Sequence, residues 1–416
     1  MHCKHKSICI MKYADIKSIV GIQKEQVVQN TGMIRAIIGE IETPMEGFAS
    51  IISGIRRCGK STLMGQAIAR TQSPCLYLNF DTPRLEGFTI SDFSLIDQLA
   101  EESNVQNLFF DEIQMVQGWE SYVRSALDAG YRVMVTGSNA SLLSRELGTR
   151  LTGRHITREL FPFSFEEYCR FRNLAPSPDA NASYLREGGF PQYLKFGEEE
   201  ILTSLLNDIL YRDISVRYGV KDVQALRELT YYLITNIGNL VSANKLTQAV
   251  HVKTAKTILE YFSYLTQTYL FSFVPRYAYS YKAQMISPKK VYCVDNGLHS
   301  AVTTSASSDE GRKLENMVFG ELRRRWTQIY YYSNNGHECD FIVCEKNHPA
   351  MAFQVCYELS HDNEDREIKG LLTAMQDLHV DNGTILTFNQ KDTIIENDMR
   401  IEAMPVWEWA SDCNRM

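Results

Sequence analysis

The sequence lacks both the long apolar run of a membrane protein and the paired cysteines of a metal or disulfide scaffold. No stretch approaches the ~18 apolar residues of a membrane helix, and no signal-like apolar stretch follows the basic segment MHCKHKSICIMK. The ten cysteines are scattered without a C-x-x-C pair, which argues against a zinc ribbon or a disulfide framework. We therefore expect a cytoplasmic protein.

An excess of basic residues is also missing. The 43 Lys and Arg residues are outnumbered by 50 Asp and Glu residues, for a net charge of −7. This balance argues against nucleic acid covering the whole surface, so that any such contact would be local. At 416 residues, the chain exceeds one ordinary hydrophobic core, and we expect several domains of roughly 100–200 residues each.

Short apolar segments alternate with helix-length segments between residues 49 and 164. The segments are ASIISG, CLYLNFD, NLFFDEIQ, YRVMVTGSN and ITRELFPFS. Each is too short and too apolar for an amphipathic helix, which favours strands of a parallel sheet covered on both faces. The first part of the chain is therefore predicted to be an α/β domain.

The segment SGIRRCGKSTLMGQ lies between the first apolar segment and a credible helix start. Gly54, Gly59, Lys60 and Ser61 match the pattern G-x-x-x-x-G-K-[ST] of a phosphate-binding P-loop. Lys60 would reach the β and γ phosphates of ATP, and the Ser61 hydroxyl would bind Mg²⁺. The other loop positions expected to face phosphate through their backbone N–H groups are Arg57, Cys58 and Thr62.

Acidic residues end the third apolar segment. In NLFFDEIQ, 51 residues after Lys60, Asp111 would hold magnesium through water and Glu112 would polarise the attacking water. The alternative is two carboxylates at a solvated strand end. After the next segment, Ser138 or Asn139 could contact the γ phosphate or the attacking water, unless they only cap a turn.

Arginines follow in the segment SLLSRELGTRLTGRHITRELFPFSFEEY. We predict that Arg154, in LTGR, is an arginine finger that neutralises transition-state charge. The alternative for each of these arginines is an ordinary surface charge. Arg212 is a weaker candidate for a lid arginine that senses nucleotide.

These motifs together resemble the AAA-type branch of P-loop ATPases, in which an extra strand lies between the lysine loop and the acidic strand. With EGGFPQYL and the RDI and RYG segments, they are also similar to a large bacterial and archaeal family of AAA-fold ATPases with a conserved carboxyl-terminal region of unknown function. The resemblance covers about residues 15 to 410. It implies architecture and binding of ATP with Mg²⁺, but no biological role.

Composition changes and linkers predict five parts. The predicted parts are an N-terminal helical extension (1–46), a P-loop ATPase core (47–172), a helical lid (183–223), a winged helix-turn-helix (224–296) and a restriction-endonuclease-like α/β domain (310–411). In the winged helix, TAKTILEYFSYLTQ takes the place of the recognition helix. Residues 240–290 hold seven Lys or Arg and one acid, which predicts either a DNA-contacting surface or a packing module.

The helix, strands, helix, strand order of the last part resembles the restriction-endonuclease-like fold. Glu315 takes the helix acid position and Asp340 the middle position, but Gln354 and Cys356 stand where that fold uses Glu and Lys. A glutamine binds Mg²⁺ weakly, and a thiol cannot activate hydroxide as a lysine does. We predict an inactive nuclease-like domain.

Three functions are compatible with these features. The first is an ATPase that acts as a nucleotide-driven switch or remodeller on a nucleic acid or protein partner, either as a single chain or as an oligomer. The second is an ATP-dependent nuclease of a defence system, which Gln354 and Cys356 disfavour. The third is a signalling module that exchanges nucleotide slowly, against which Glu112 argues.

Overall fold

The computed structural model describes residues 11–41, 45–139, 151, 153–303, 310–397 and 399–411. The chain divides into two compact units, Met1–Leu160 and Phe161–Met416. Within the described residues, no helix has both the length and the apolar character needed to cross a bilayer.

The first unit is built on a five-stranded parallel sheet. Its strands are β1 (Ala49–Ser53), β2 (Cys75–Asn79), β3 (Asn107–Asp111), β4 (Arg132–Gly137) and β5 (His155–Glu159), in the order β2-β3-β4-β1-β5. The predicted parallel sheet is confirmed. Strand β4 lies between β1, which precedes the loop, and β3, which carries the acidic pair, as the AAA-type resemblance implies.

Helices cover this sheet and fill its core. They are α1 (Tyr13–Gln29), α2 (Ile38–Ile41), α3 (Lys60–Arg70), α4 (Phe93–Glu102) and α5 (Trp119–Asp128). Helix α1 buries Ile16 completely in the same apolar cluster as Phe93 and Phe110. The predicted N-terminal helical extension therefore packs into the core of the first unit.

The second unit begins with helices and a small antiparallel sheet. Its helices are α6 (Phe165–Arg172), α7 (Pro178–Glu187), α8 (Pro191–Phe196), α9 (Glu200–Asp208), a π-helix (Ile209–Val216), α10 (Val223–Thr235), α11 (Ala243–Ala249), α12 (Ala255–Gln267), α13 (Tyr281–Ile286) and α14 (Asn296–Val302). Strands β6 (Leu240–Val241), β7 (Phe271–Val274) and β8 (Lys289–Cys293) pair in the order β6-β8-β7. From α10 to β8, the three helices and two strands of the predicted winged helix are present, with strand β6 and helix α13 in addition.

The predicted end of the ATPase core, at residue 172, lies beyond the end of the first compact unit. The first unit ends at Leu160, because the aromatic residues of the next segment pack inside the second unit. Phe165 and Tyr168 both contact Tyr184 of α7, with ring centroids 5.7 and 5.2 Å apart. The segment 161–172 therefore belongs with the helices that follow it.

A six-stranded mixed sheet forms the end of the second unit. Its elements are α15 (Glu310–Arg325), β9 (Ile329–Asn334), β10 (His337–Glu345), β11 (His348–Cys356), α16 (Glu364–Leu378), β12 (Gly383–Thr387), β13 (Asp392–Glu396), β14 (Met399–Pro405) and α17 (Val406–Ser411). The strand order is β13-β14-β12-β11-β10-β9, with β12 parallel to both β11 and β14. The predicted helix, three strands, helix and strand are present, and β13, β14 and α17 extend them.

Candidate functional site

The loop between β1 and α3 curls through positive backbone φ angles. These are 150° at Gly54, 63° at Arg57 and 104° at Gly59. At Gly54, a Cβ atom would lie only 2.1 Å from the Leu160 carbonyl oxygen, so that only glycine fits there. The side chain of Arg57 is exposed and that of Arg56 is half-buried, since the backbone forms the curl. Ser61 and Thr62 lie in the first turn of α3.

The back of the loop is fastened to the segment that follows α1. The buried Arg35 guanidinium donates from Nη1 to the Cys58 carbonyl oxygen at 2.9 Å. The Gln66 side-chain amide donates to the carbonyl oxygens of Thr31 and Met33 at 2.6 and 2.7 Å. Burial raises the pKa of the Cys58 thiol, which therefore stays neutral, and the residue contributes through its backbone.

Lys60 lies at the mouth of the loop, where its position begins α3. Its side chain is only 4% exposed and donates to the carbonyl oxygens of Gly54 and Ile55, both at 3.1 Å. The ammonium also lies 3.8 Å from the Glu112 carboxylate. A buried ammonium held in this position is ready to meet phosphate oxygens.

Asp111 is fully buried at the end of β3. One carboxylate oxygen accepts hydrogen bonds from the Tyr77 hydroxyl and the Asn79 amide, each at 3.0 Å. The other oxygen accepts from the Thr136 hydroxyl on β4. Three neighbouring side chains therefore fix the carboxylate, and sequence analysis identified none of them.

The electrostatics of Asp111 suit a cation. Burial raises the pKa of Asp111, with the nearby Glu112 charge adding to the effect, while hydrogen bonds from Ser61, Thr136 and Tyr77 lower it. The hydrogen bond from Ser61 places the two predicted magnesium ligands side by side. Hydroxyl and carboxylate oxygens suit a hard dication, which usually completes its shell with water and phosphate oxygens. Among the described residues, no group of three or more His, Cys, Asp or Glu side chains is arranged to hold a metal.

Glu112 turns out of the strand through a left-handed backbone, with φ 52°. Its N–H donates to the Thr136 hydroxyl at 3.0 Å. Its carboxylate accepts hydrogen bonds from the Gln114 amide and from the Ser138 hydroxyl, the latter at 3.3 Å. Ser138 therefore lies in contact with Glu112, and so does Gln114, which gave no signal in the sequence.

Thr136 links the two acidic residues, and we expect Thr136→Val to weaken the first unit. Valine keeps the shape but leaves Asp111 and the Glu112 N–H without their shared partner, which costs about 1–3 kcal/mol for a buried polar group. The free energy of unfolding and the ATPase rate should both fall. Thr230→Val is the matched control, because Thr230 is equally buried and donates to the Leu226 carbonyl oxygen at 2.8 Å, on α10 of the second unit. Equal ATPase losses in both variants would contradict the role of Thr136.

Arg154 lies at the opposite edge of the sheet from the phosphate loop. It precedes β5, whose first residue pairs with Ala49 at the start of β1, and its guanidinium contacts Asp128 at 2.8 Å. Five residues of strand, roughly 16 Å, separate that edge from the loop. The prediction that Arg154 is the finger is therefore wrong for the chain's own site. Arg145 and Arg150 lie outside the described residues.

A second cluster of charged residues lies in the other unit. The Lys290 ammonium of β8 contacts the carboxylates of Asp340 at 2.6 Å and Glu315 at 3.0 Å. Burial alone would lower the pKa of Lys290, but Asp340 and Glu315 raise it well above its usual range. The structure thus brings together the two predicted acids, and it adds a lysine that the sequence did not assign to them.

The other two positions of the nuclease-like pattern differ from a metal site. The Gln354 side chain accepts from the Asp340 N–H at 3.2 Å and donates to Glu367 at 2.5 Å. The Cys356 thiol donates to the Glu358 carbonyl oxygen at 3.1 Å. Burial raises the pKa of Cys356 to about 11, so that it remains a neutral thiol.

Comparisons with known proteins agree with the geometry of the first unit. Residues 47–169 match an AAA domain, and residues 179–309 and 310–409 match two domains of unknown function. An uncharacterized protein of Methanocaldococcus jannaschii is 33% identical over 391 residues, covering 86% of this chain and 87% of the relative. An uncharacterized protein of Haemophilus influenzae is 32% identical over 344 residues, covering 77% of this chain and 85% of the relative.

Two solved structures show some likeness to this chain. The RuvB Holliday junction branch migration motor of Thermotoga maritima is 17% identical, with a TM-score of 0.27, over 64% of this chain and 90% of that one. The Hsp104–ADP complex of S. cerevisiae is 14% identical, with a TM-score of 0.28, over 60% of this chain and 39% of that one. The sheet order, the matched domains and the full-length relatives show that the chain belongs to a family of archaeal and bacterial AAA-domain proteins with carboxyl-terminal domains of unknown function.

Proposed function

We propose that this protein hydrolyses ATP with Mg²⁺ and uses the reaction as a switch on a nucleic acid or protein partner. The observation that carries the proposal is the position of Glu112, whose carboxylate lies 3.8 Å from the Lys60 ammonium. A protein that only exchanges nucleotide would need no carboxylate at this position. Its hydrogen bonds with Gln114 and Ser138 hold it ready to orient a water molecule.

Each residue of the site has a separate task in this proposal. The N–H groups of the loop and the Lys60 ammonium bind the β and γ phosphates, and α3 directs the positive end of its dipole towards them. Ser61 and Asp111 would hold Mg²⁺, which neutralises phosphate charge when bound. Glu112 orients the attacking water and accepts its proton. Arg154 could serve only the site of a neighbouring chain in an oligomer.

The proposal predicts phosphate release by the full-length protein that depends on the divalent cation. Because Ser61 and Asp111 offer only two oxygen ligands, chelation of Mg²⁺ by EDTA should abolish the release, and added Mg²⁺ should restore it. Phosphate release is measured with purified protein and ATP in both conditions. A rate that is unaffected by EDTA, or no higher than that of Lys60→Ala, would contradict hydrolysis at this site.

An exposed basic surface of the second unit makes DNA the favoured partner in this proposal. Lys245, Lys253, Lys256 and Lys282 are exposed around α11, α12 and α13, and Tyr279 is 82% exposed beside them. Exposed ammonium groups suit phosphate contacts, and exposed aromatic rings suit stacking. Lys290 does not belong to this surface, because it is buried against Asp340, so that the basic excess counted from the sequence overstates the charge available to DNA.

We expect Lys253→Glu with Lys256→Glu to weaken duplex DNA binding. If each lysine contacts a phosphate, their loss should lower the slope of log affinity against log salt by about 2. Fluorescence anisotropy with labelled duplex over a salt series measures the slope. Lys195→Glu with Lys346→Glu is the matched control, since both lysines are exposed elsewhere in the same unit. Equal slopes in the two variants, or no binding by the unmodified protein at low salt, would exclude DNA contact through this surface.

A further inference from the structure

Three charged side chains from three elements meet in the second unit. Lys290 comes from β8 of the three-stranded sheet, Glu315 from α15 and Asp340 from β10 of the mixed sheet. Their side chains are only 9%, 15% and 12% exposed. Charged groups at this depth need partners, because burial removes most of their hydration.

The contacts of the ammonium resemble those of a bound cation. Lys290 Nζ lies 2.6 Å from Asp340 Oδ1 and 3.0 Å from Glu315 Oε1. The Tyr292 hydroxyl donates to the same Glu315 oxygen at 2.6 Å, and the Val355 N–H donates to Asp340 Oδ2 at 2.9 Å. The two carboxylates therefore converge on one positive charge, and each also accepts a hydrogen bond from the surrounding chain.

We propose that the Lys290 ammonium is a built-in cation that occupies the place of a divalent metal between Glu315 and Asp340. A divalent ion would need the same two oxygens, at about 2.0–2.6 Å, and cannot share them with the ammonium. The lysine also joins the three-stranded sheet to the mixed sheet, since its two partners belong to the terminal domain. The mixed-sheet domain therefore binds no metal between Glu315 and Asp340. The two carboxylates instead hold Lys290, which fastens the three-stranded sheet to this domain.

The neighbouring residues fit a single positive charge. A glutamate at position 354 would add a further carboxylate next to Asp340, whose cation Lys290 is already shared with Glu315. The neutral Gln354 instead relays a hydrogen bond from the Asp340 N–H to Glu367, at 3.2 and 2.5 Å. The neutral residue at this position of the nuclease-like pattern therefore suits a site whose cation is Lys290 and not a metal ion. We expect no DNA cleavage by this domain.

The carboxylate pair can be reached from solvent, which makes the proposal testable. Glu315, Asp340 and Gln354 line a cavity of about 610 Å³ whose wall also includes Arg366 and Lys369. An ion in solution can therefore approach the pair when the ammonium is removed. Because every contact lies within the second unit, metal binding at this pair can be tested whether or not the first unit hydrolyses ATP.

The test compares Mn²⁺ binding by three full-length proteins. They are the unmodified protein, Lys290→Met, and Lys290→Met combined with Glu315→Gln and Asp340→Asn. The magnesium site of the first unit is the same in all three, so that its contribution cancels. We expect Lys290→Met to bind one additional Mn²⁺ per chain, measured by electron paramagnetic resonance, and to gain melting temperature with Mn²⁺. The other two proteins should show neither effect.

Two results would overturn the proposal. One is Mn²⁺ binding by the unmodified protein that disappears in Glu315→Gln with Asp340→Asn, because the metal would then displace the lysine. The other is a folded Lys290→Met protein with no additional Mn²⁺. If Lys290→Met does not fold, Lys290→Gln replaces it in the same comparison, since glutamine retains a donor for the carboxylates. The triple variant, in which the charges are removed together, shows whether the site tolerates neutral residues.

Discussion

Glu112→Gln is expected to lower the ATP turnover of this protein by about 10²–10⁴-fold. Glutamine keeps the shape of the side chain but cannot accept a proton from water. The contacts to Gln114 and Ser138 can be retained by the amide. Affinity for ATP should change little, because Lys60 and the loop N–H groups are untouched. Turnover is measured by phosphate release, and affinity by titration calorimetry.

Glu86→Gln provides the control for this variant. Glu86 is an exposed carboxylate of the same unit and lies outside the acidic pair at the end of β3. Its replacement makes the same chemical change without touching the site, and turnover should remain that of the unmodified protein. Full turnover by Glu112→Gln would exclude Glu112 as the base, whereas the absence of phosphate release by the unmodified protein would favour the signalling alternative, in which nucleotide exchange and not hydrolysis sets the state.

Lys60→Ala is expected to remove most of the affinity for ATP. Hydrogen bonds to charged groups contribute about 1.5–3 kcal/mol each. Loss of one such bond to phosphate should therefore raise the dissociation constant for ATP about 10- to 150-fold. The effect should be strong because the ammonium is almost fully buried and already held by Gly54 and Ile55 at 3.1 Å. Little conformational freedom is lost when it meets phosphate. Titration with ATP, and separately with ADP, measures the change.

Lys17→Ala is the matched control. Lys17 belongs to α1 of the same unit, and its side chain is 59% exposed, 3.5 Å from Glu102. Exposed ion pairs of this kind contribute little, so that the affinity for ATP should be unchanged. An equal loss in both variants would indicate a general effect of charge, and an unchanged affinity in Lys60→Ala would refute the loop as the ATP site.

The main elements of the ATPase unit could be predicted from the residues alone. The period of apolar segments indicated the parallel strands, and Gly54, Gly59 and Lys60 indicated the loop, because both signals are local in sequence. Asp111 and Glu112 could be placed near the loop because carboxyl ends of parallel strands lie at one edge of a sheet. The supports of Asp111 could not be predicted, since Tyr77 and Thr136 come from neighbouring strands whose register no local pattern specifies.

Other interpretations failed where distant parts of the chain meet. Arg154 is the arginine predicted to be the finger from its LTGR segment, yet β5 runs parallel to β1 and places it at the end of the strands opposite the phosphate loop. Lys290 was counted with the basic surface, whereas the fold buries it between Glu315 and Asp340. Proximity in the sequence could not predict the contact of Arg154 or those of Lys290, because the partners lie 25 or more residues away along the chain.

The α/β class, the phosphate-loop motif, the acidic pair and the weakened nuclease-like pattern follow from residue types and their order along the chain. The side chains that hold Asp111 and Glu112, the end of the first unit and the cation that neutralises Glu315 and Asp340 became evident only from the fold. The physical reason is that burial and charge pairing depend on which segments pack together. In this chain, the charge of Lys290 acquires its role only when β8 lies against α15 and β10.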